Sequence, residues 1–397
     1  MPDTQRNDLP FRAALPAVLF VVSIFFCNFM SRMVFAPIMP LMQAELGFSF
    51  AGAGNLFLML AVGNATGLLL NGFISRSLNH RRTVGLSALL VGTSVMAVPF
   101  VGSYATLACS LLVLGTAVGV YLPSGIATVT SLVRKQDWGT AMAVHELAPN
   151  TAFVVAPLFA EAVLLAFEWQ ATLWLIGGVQ IILGLLFLAR GRGGELPGMV
   201  PGPLVVVQIV KRPVFWVLSL CMCLAVGASI GPYTMLPLYL ADVHGYTREQ
   251  ANQLLSISRI MAVFGPFFAG WVTDRWGARA AVIMYLVLNG SALVVLGLTS
   301  GTALVAMVVL QPVFSVFIFA PGFTMLSLVL PPEHRSVAVA LIGPLNAIVG
   351  LGIAPAFLGH MGDAGLFHVG FFIQGVLLLA LLPLMPRLPG GRVGHDG

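Results

Sequence analysis

Charge is what this chain has least of. Asp, Glu, Lys and Arg make up only 8% of its 397 residues, against about 25% in a soluble domain. So little charge leaves almost nothing with which to coat a water-facing domain. Cysteine is scarce too. Cys27, Cys109, Cys221 and Cys223 all fall inside apolar stretches, and none has a metal-ligand spacing to a nearby His. Buried free thiols are expected, with neither a disulfide nor a metal site. There is no phosphate-binding glycine loop and no nucleophile motif, so ATP-driven pumping and enzyme chemistry have no support, and no cofactor is implied. A cleavable leader is missing as well. Arg6 and Arg12 are followed by hydrophobic sequence that runs on past Arg32, longer than a signal core and without a small-residue cleavage site. The first apolar segment is expected to stay as a helix.

What is present is hydrophobicity, at 58% of the chain. A helix needs roughly 20 apolar residues to cross a bilayer. Such spans fall near 13–42, 51–74, 83–101, 105–133, 140–167, 169–189, 214–241, 250–273, 280–299, 302–330, 337–359 and 366–386. The pI near 9.3 invites a nucleic-acid partner, but charge placement removes it. With an even number of spans and a cytoplasmic N-terminus, all the Lys and Arg fall in cytoplasmic segments except Arg248, which lies outside, and Arg32 and Arg259, which lie within spans. That is the positive-inside bias of membrane proteins. It predicts a multi-pass protein of a bacterial-type inner membrane with both termini cytoplasmic. The polar stretch 190–213, rich in Gly and Pro, reads as a linker without regular structure. It separates a six-helix bundle over 1–189 from another over 214–397.

The chain also repeats itself. Shifted by half its length, Gly47-Phe48-Ser49 falls on Gly245-Tyr246-Thr247, Gly72 on Gly270, Arg81 on Arg279, Pro123 on Pro321 and Ala156-Pro157 on Ala354-Pro355. Twelve helices in two matched, pseudo-symmetric halves is the plan of an all-α secondary transporter. Spans three, six, nine and twelve are plainest, with isolated Gln180, Asn289 and Gln374, and are expected to face lipid. The more polar spans are expected to surround the pathway, because polar groups in a bilayer need protein or water.

Gly270-Trp271-Val272-Thr273-Asp274-Arg275-Trp276-Gly277-Ala278-Arg279 lies between spans eight and nine. It resembles the cytoplasmic loop signature of the major facilitator superfamily. That resemblance implies a gating role for Asp274 and Arg275, the carboxylate sitting by a helix N-terminus of the other half, here span five near Gly139. The first copy departs from it: Gly72, Asn79 and Arg81 match, but Arg76 stands where the Asp would be.

Arg32 and Arg259 carry the substrate expectation. An ionised side chain in mid-membrane costs at least about 2.5–3.5 kcal/mol, and something must offset that. The two lie at similar depth in different halves, where they could face each other across a cavity. Arginine's planar fork suits carboxylate and phosphate. The surroundings of Arg32 resemble span one of organophosphate:phosphate antiporters and anion:cation symporters. Arg259, with Gly265-Pro266 after it, resembles the span-eight arginine of monocarboxylate and oxalate/formate porters. The resemblance implies anion binding at both. It is partial: the antiporters' basic residue in span seven falls on Ile230, and 337–359 holds no Lys or Arg. Snorkelling of Arg32 to headgroups, or an internal pairing of Arg259, is the plain alternative. Asn28, one turn before Arg32, and Tyr233, in the Gly231-Pro232 break of span seven, are further substrate-binding candidates. Glu146 shares a helix face with Asn150, Phe153, Pro157 and Glu161, while His145 points away. Glu146 is a proton carrier, a salt-bridge gate, a substrate contact or a structural residue. His360, Asp363 and His368 read as solvated loop residues.

Together these features predict a monomeric secondary transporter moving a small organic anion by alternating access, coupled to protons by symport or exchanging the anion for a counter-substrate. Proton-driven drug efflux is the rival in the same fold, and 27 Phe residues suit it. A transporter-like membrane sensor is the rival of another class.

Overall fold

A computed structural model describes residues 10–199, 202–262 and 265–388. The termini, with Arg6 and Arg392, and positions 263–264 of expected span 250–273 lie outside the described residues. Within them the chain is all-helical, without a strand. Among the described residues, ten helical segments are long and apolar enough to cross a membrane. A bilayer core offers no water to backbone groups, so each segment must satisfy its own N–H and C=O. The expected spans 51–74 and 83–101 form two helices within Phe50–Ala97, separated at Asn79, whose backbone is not helical. Expected span 250–273 is helical over its described residues, Arg248–Ala262 and Gly265–Trp276.

The bend at Asn79 has φ 68 and ψ 167, a region nearly reserved for glycine. Gly277, its counterpart in the shifted repeat, has φ 88 and ψ 156. Asn79 is retained with a use: its Oδ1 accepts the Arg82 N–H at 2.9 Å, capping the helix that follows. Asn79→Gly should relieve about 1–3 kcal/mol of strain and lose only a few tenths in capping. Its unfolding temperature in detergent should therefore rise, and that of Asn79→Ala should fall. A Gly variant less stable than the natural protein would show the bend to be unstrained.

The chain divides into two compact units. One comprises Met1–Leu41 and Met59–Val200, the other Met42–Leu58 and Pro201–Gly397.

In the first unit Phe11–Met33 packs along Trp138–Leu164 and Trp169–Arg190, around a core that includes Val18, Val21, Phe25, Tyr121 and Phe187. The first helix of Phe50–Ala97 and the Tyr104–Gly119 helix meet backbone to backbone. A Cβ at Gly63 would overlap the Leu112 carbonyl, and one at Gly115 the Leu60 carbonyl. Small residues that let helices approach this closely drive association where lipid offers no hydrophobic gain.

The stretch 190–213 corrects its expectation. It is irregular at first, yet pinned. Gly194 N–H donates to Ser131 Oγ (2.7 Å), while the Gly194 carbonyl accepts from Arg81 N–H (2.8 Å) and Gly198 N–H donates to the Ser75 carbonyl (3.0 Å). Then Pro203–Val210 forms a helix that packs on Pro332–Asn346 in the second unit.

In the second unit Ala278–Leu298 packs on Phe367–Leu379, and Arg248–Ala262 on Gly301–Ser315. Asp363 is exposed, as expected, but does not lie in a loop. It ends the Ala354–Asp363 helix, and its carboxylate accepts the Phe50 N–H at 2.8 Å, at a helix start, where negative charge is favoured. Gln180, Asn289 and Gln374, the isolated polar residues of the plainest spans, mark the sides of those helices that meet protein. All three are buried and turned inward: Gln180 donates to the Ile24 carbonyl at 3.5 Å, Asn289 to Tyr285 Oη at 3.1 Å and Gln374 to the Ala354 carbonyl at 3.4 Å. An amide left in hydrocarbon costs several kcal/mol, so a lone polar residue on an apolar helix marks its protein-facing side. Of the cysteines, Cys27, Cys221 and Cys223 are buried, but Cys109 is exposed, because its helix is apolar on every face and sequence could not say which turned inward.

Candidate functional site

Arg259 ends a turn of the Arg248–Ala262 helix and is 3% exposed. The Pro213–His244 helix runs beside it. Ser229 and Tyr233 lie four residues apart there, and so on one face. Arg259 Nη2 donates to the Ser229 carbonyl at 2.8 Å and Nη1 to Ser229 Oγ at 3.3 Å. The guanidinium carbon lies 4.9 Å from the centroid of the Tyr233 ring, within cation–π range. Ser315 Oγ donates to Ser229 Oγ at 3.3 Å. The fork is thus aimed by two serines and an aromatic face.

Tyr233 was expected in a break of the helix. There is none: Pro213–His244 is one 32-residue helix through Pro232 and Pro237. Proline 232 has no N–H for the Ala228 carbonyl four residues back. Gln311 supplies the missing donor, its Nε2 lying 2.7 Å from that carbonyl and 3.0 Å from Asn289 Oδ1. A side chain of the neighbouring Gly301–Ser315 helix therefore keeps the proline from opening the backbone. Gln311, Ser258, Pro232, Tyr233 and Arg259 line a small cavity with apolar walls. Its volume is about 10 Å³, open to the centre of a water-sized sphere. That is room for about one water beside the guanidinium, not for an organic anion.

In the first unit Arg32 is 8% exposed, so it is not splayed outward toward headgroups. Its guanidinium carbon sits 3.7 Å from the Phe29 ring centroid. Its buried Nε has no hydrogen-bond partner among the described residues. Asn28, one turn earlier, turns to the Val118 carbonyl at 3.5 Å and ties two helices together. Phe29 meets Phe153 edge-on at 6.0 Å, and Phe153 shares its helix face with Asn150 and Glu146. Asn150 Nδ2 donates to the Glu146 carbonyl at 2.8 Å.

Asp274 and Arg275 are exposed at the end of the Gly265–Trp276 helix, with Arg275 5.6 Å from the Trp271 ring centroid. Arg76 in the first loop is likewise exposed. The next arginines act as clamps. Arg81 Nη2 donates to the Leu188 carbonyl at 3.2 Å and Arg279 Nη1 to the Leu388 carbonyl at 3.3 Å.

Sequence reasoning did not find Ser229, Ser315 or Gln311. Gln311 left a signal: a glutamine in an apolar span, in a bundle where Pro232 frees a carbonyl. The serines left none, because which helix faces they share is set by packing.

Comparison with known proteins bears on what such a site does. The family model described as Major Facilitator Superfamily matches residues 21–271 and 233–395. A chloramphenicol resistance protein of Streptomyces lividans is 25% identical, over 93% of this chain and 96% of its own. A probable hexose phosphate transport protein of Chlamydia trachomatis is 22% identical, over 94% and 89%. The crystal structure of a bacterial homologue of the human lysosomal transporter Spinster, inward-facing and unoccupied, shares the fold. Its TM-score is 0.79 at 16% identity, over 94% of this chain and 97% of that one.

Proposed function

Because the chain belongs to the major facilitator superfamily, a family of membrane transporters rather than enzymes, we propose that it moves a small organic anion of carboxylate type by alternating access. In this proposal twelve helices form two pseudo-symmetric halves over 1–189 and 214–397, joined by 190–213. The protein is a monomer of the inner membrane with both termini cytoplasmic. Transport is coupled to protons or to a counter-substrate.

One observation carries the choice of substrate. The buried Arg259 fork is aimed by Ser229 and Tyr233, which position a cation without adding negative charge. A bidentate anion is the ligand such a fork fits. Arg32 adds a second buried guanidinium, in the first unit. The Chlamydia relative is named for transport of a hexose phosphate, which is also an anion. Drug efflux is the second reading, favoured by the resistance protein that matches nearly end to end.

Thermal stabilisation of the purified protein separates the two, since a ligand that binds the native state raises its stability. The panel would hold mono- and dicarboxylates, phosphate esters, chloramphenicol and lipophilic cations. Stabilisation by anions alone is expected. Stabilisation by chloramphenicol or cations alone would overturn anion transport.

Asp274 and Arg275 form a cytoplasmic gate in this proposal, and the basic first loop does not. Asp274→Asn should lower uptake into cells of whichever anion stabilises the protein, and Arg76→Ala should do much less. Equal, severe loss in both variants at normal expression would remove the asymmetry.

A further inference from the structure

The first unit carries a cluster of arginines that neither the anion site nor the gate uses. Arg81 draws the cluster together. Its N–H donates to the Gly194 carbonyl at 2.8 Å and its Nη2 to the Leu188 carbonyl at 3.2 Å. The start of the helix that follows Asn79 is thereby tied to the end of Trp169–Arg190. Arg82 is the chain neighbour of Arg81, Arg190 stands two residues from Leu188, and Arg192 stands two residues from Gly194. All three are exposed. Arg81 spends its fork on a carbonyl, whereas Arg82, Arg190 and Arg192 make no ion pair among the described residues. The acid next to them in the chain, Glu195, is turned to the Gly193 N–H, which its Oε1 accepts at 3.0 Å.

Below the cluster each helix continues as an apolar stripe. Arg82, Leu86 and Leu90 are spaced by four residues on one helix, and Ile182, Leu186 and Arg190 on the other, each set along one face. Leu90, Ile182 and Leu186 are exposed. The two helices adjoin along these stripes. A Cβ at Gly85 would overlap the Leu188 side chain, and one at Gly184 would press on Leu89. The strap that carries Arg192 lies just as tight, since a Cβ at Gly194 would overlap Thr128 Oγ1 and one at Gly198 would overlap Ser75 Oγ. Single basic residues at helix ends are enough to orient a membrane protein. Three of them brought to one spot above a bare apolar surface fit a molecule that is anionic at its head and hydrocarbon below. Arginine's fork suits phosphate, and the helix start beside it adds the positive end of a dipole.

We propose that these two helix ends form a binding site for an anionic phospholipid. Arg82, Arg190 and Arg192 hold its phosphate, and its chains lie along Leu86, Leu90, Ile182 and Leu186. The site belongs to the first unit alone, and it depends neither on which anion is transported nor on Arg259. In the orientation proposed above, these ends face the cytoplasm, where the negative charge of the leaflet draws basic clusters. A lipid held there bridges the two helices and stabilises the native state by mass action.

Native mass spectrometry of the full-length protein in neutral detergent reads lipid binding directly. The probes are phosphatidylglycerol, phosphatidylcholine with the same chains, and inorganic phosphate. Phosphatidylglycerol is expected to bind about tenfold or more tightly than phosphatidylcholine, whose head carries a compensating cation. Excess inorganic phosphate at constant ionic strength should not displace it, because phosphate has no chains to lay on the stripes. Each arginine changed to Gln should cost phosphatidylglycerol about fivefold, so Arg82→Gln combined with Arg190→Gln should remove most of the preference and leave phosphatidylcholine binding unchanged. A control of equal charge at exposed positions of the second unit, Lys211→Gln with Arg212→Gln, should keep the preference. If the double variant does not fold, Arg192→Gln carries the same test, since that residue is exposed and outside any helix. Equal binding of the two lipids, displacement by inorganic phosphate, or an equal loss in the control would overturn the site and leave these arginines as orienting charges.

Discussion

Arg259→Ala is expected to abolish binding of any anion that stabilises the natural protein. The cation is buried and held by two bonds to Ser229 and by the Tyr233 face. Truncating one member of a buried, hydrogen-bonded charge pair costs about 2–5 kcal/mol, or about 30-fold to several thousand-fold in affinity. Arg259→Lys keeps the charge but has one nitrogen where the fork has two. It cannot reach the Ser229 carbonyl, the Ser229 hydroxyl and an anion with the same planar geometry, so about a tenfold loss or more is expected. Arg32→Ala should weaken binding as well, by less, because no hydrogen-bond cradle comparable to Ser229 is seen around it. Neither Ala change should hinder membrane insertion, since each makes its helix more apolar. The check is anion titration by calorimetry or thermal shift on each variant. Unchanged affinity in Arg259→Ala would reassign the site and strengthen drug efflux.

The second large effect is on stability. Gln311→Leu should lower the unfolding temperature clearly, because it strands two buried acceptors at once, the Ala228 carbonyl and Asn289 Oδ1. A buried acceptor without its donor costs about 1–3 kcal/mol. The cause can be isolated. The Ala228 carbonyl needs an outside donor only because residue 232 is proline. Adding Pro232→Ala to Gln311→Leu returns an N–H to that carbonyl, so the double variant should recover part of the loss. The two changes should therefore be non-additive. If the double variant were as unstable as the sum of the singles, Gln311 would matter through packing or through Asn289 alone.

What the sequence by itself determined follows from quantities that are local along the chain. Apolar runs long enough to cross a bilayer, the bias of Lys and Arg and the Gly270–Arg279 signature are all counts over neighbouring residues. The positive φ at Asn79 was legible for the same reason, since a turn that wants glycine in one copy wants a permissive residue in the other. The partners of the buried arginines were not legible. Helices that are apolar on nearly every face give little periodic signal of rotation, so sequence could not say that Ser229 and Tyr233 turn to Arg259. Nor could it say that Asn28 turns to Val118, or that Gln180, Asn289 and Gln374 point inward. The expected break at Gly231-Pro232 failed because proline's effect was judged from its own helix. The donor that repairs it, Gln311, comes from another one. Helical spacing alone points His145 away from Glu146. Packing of Phe25 and Tyr121 around the ring decided that its Nδ1 meets that same carboxylate. In a membrane the energy of a polar group depends on which neighbour reaches it, and only the tertiary structure assigns neighbours.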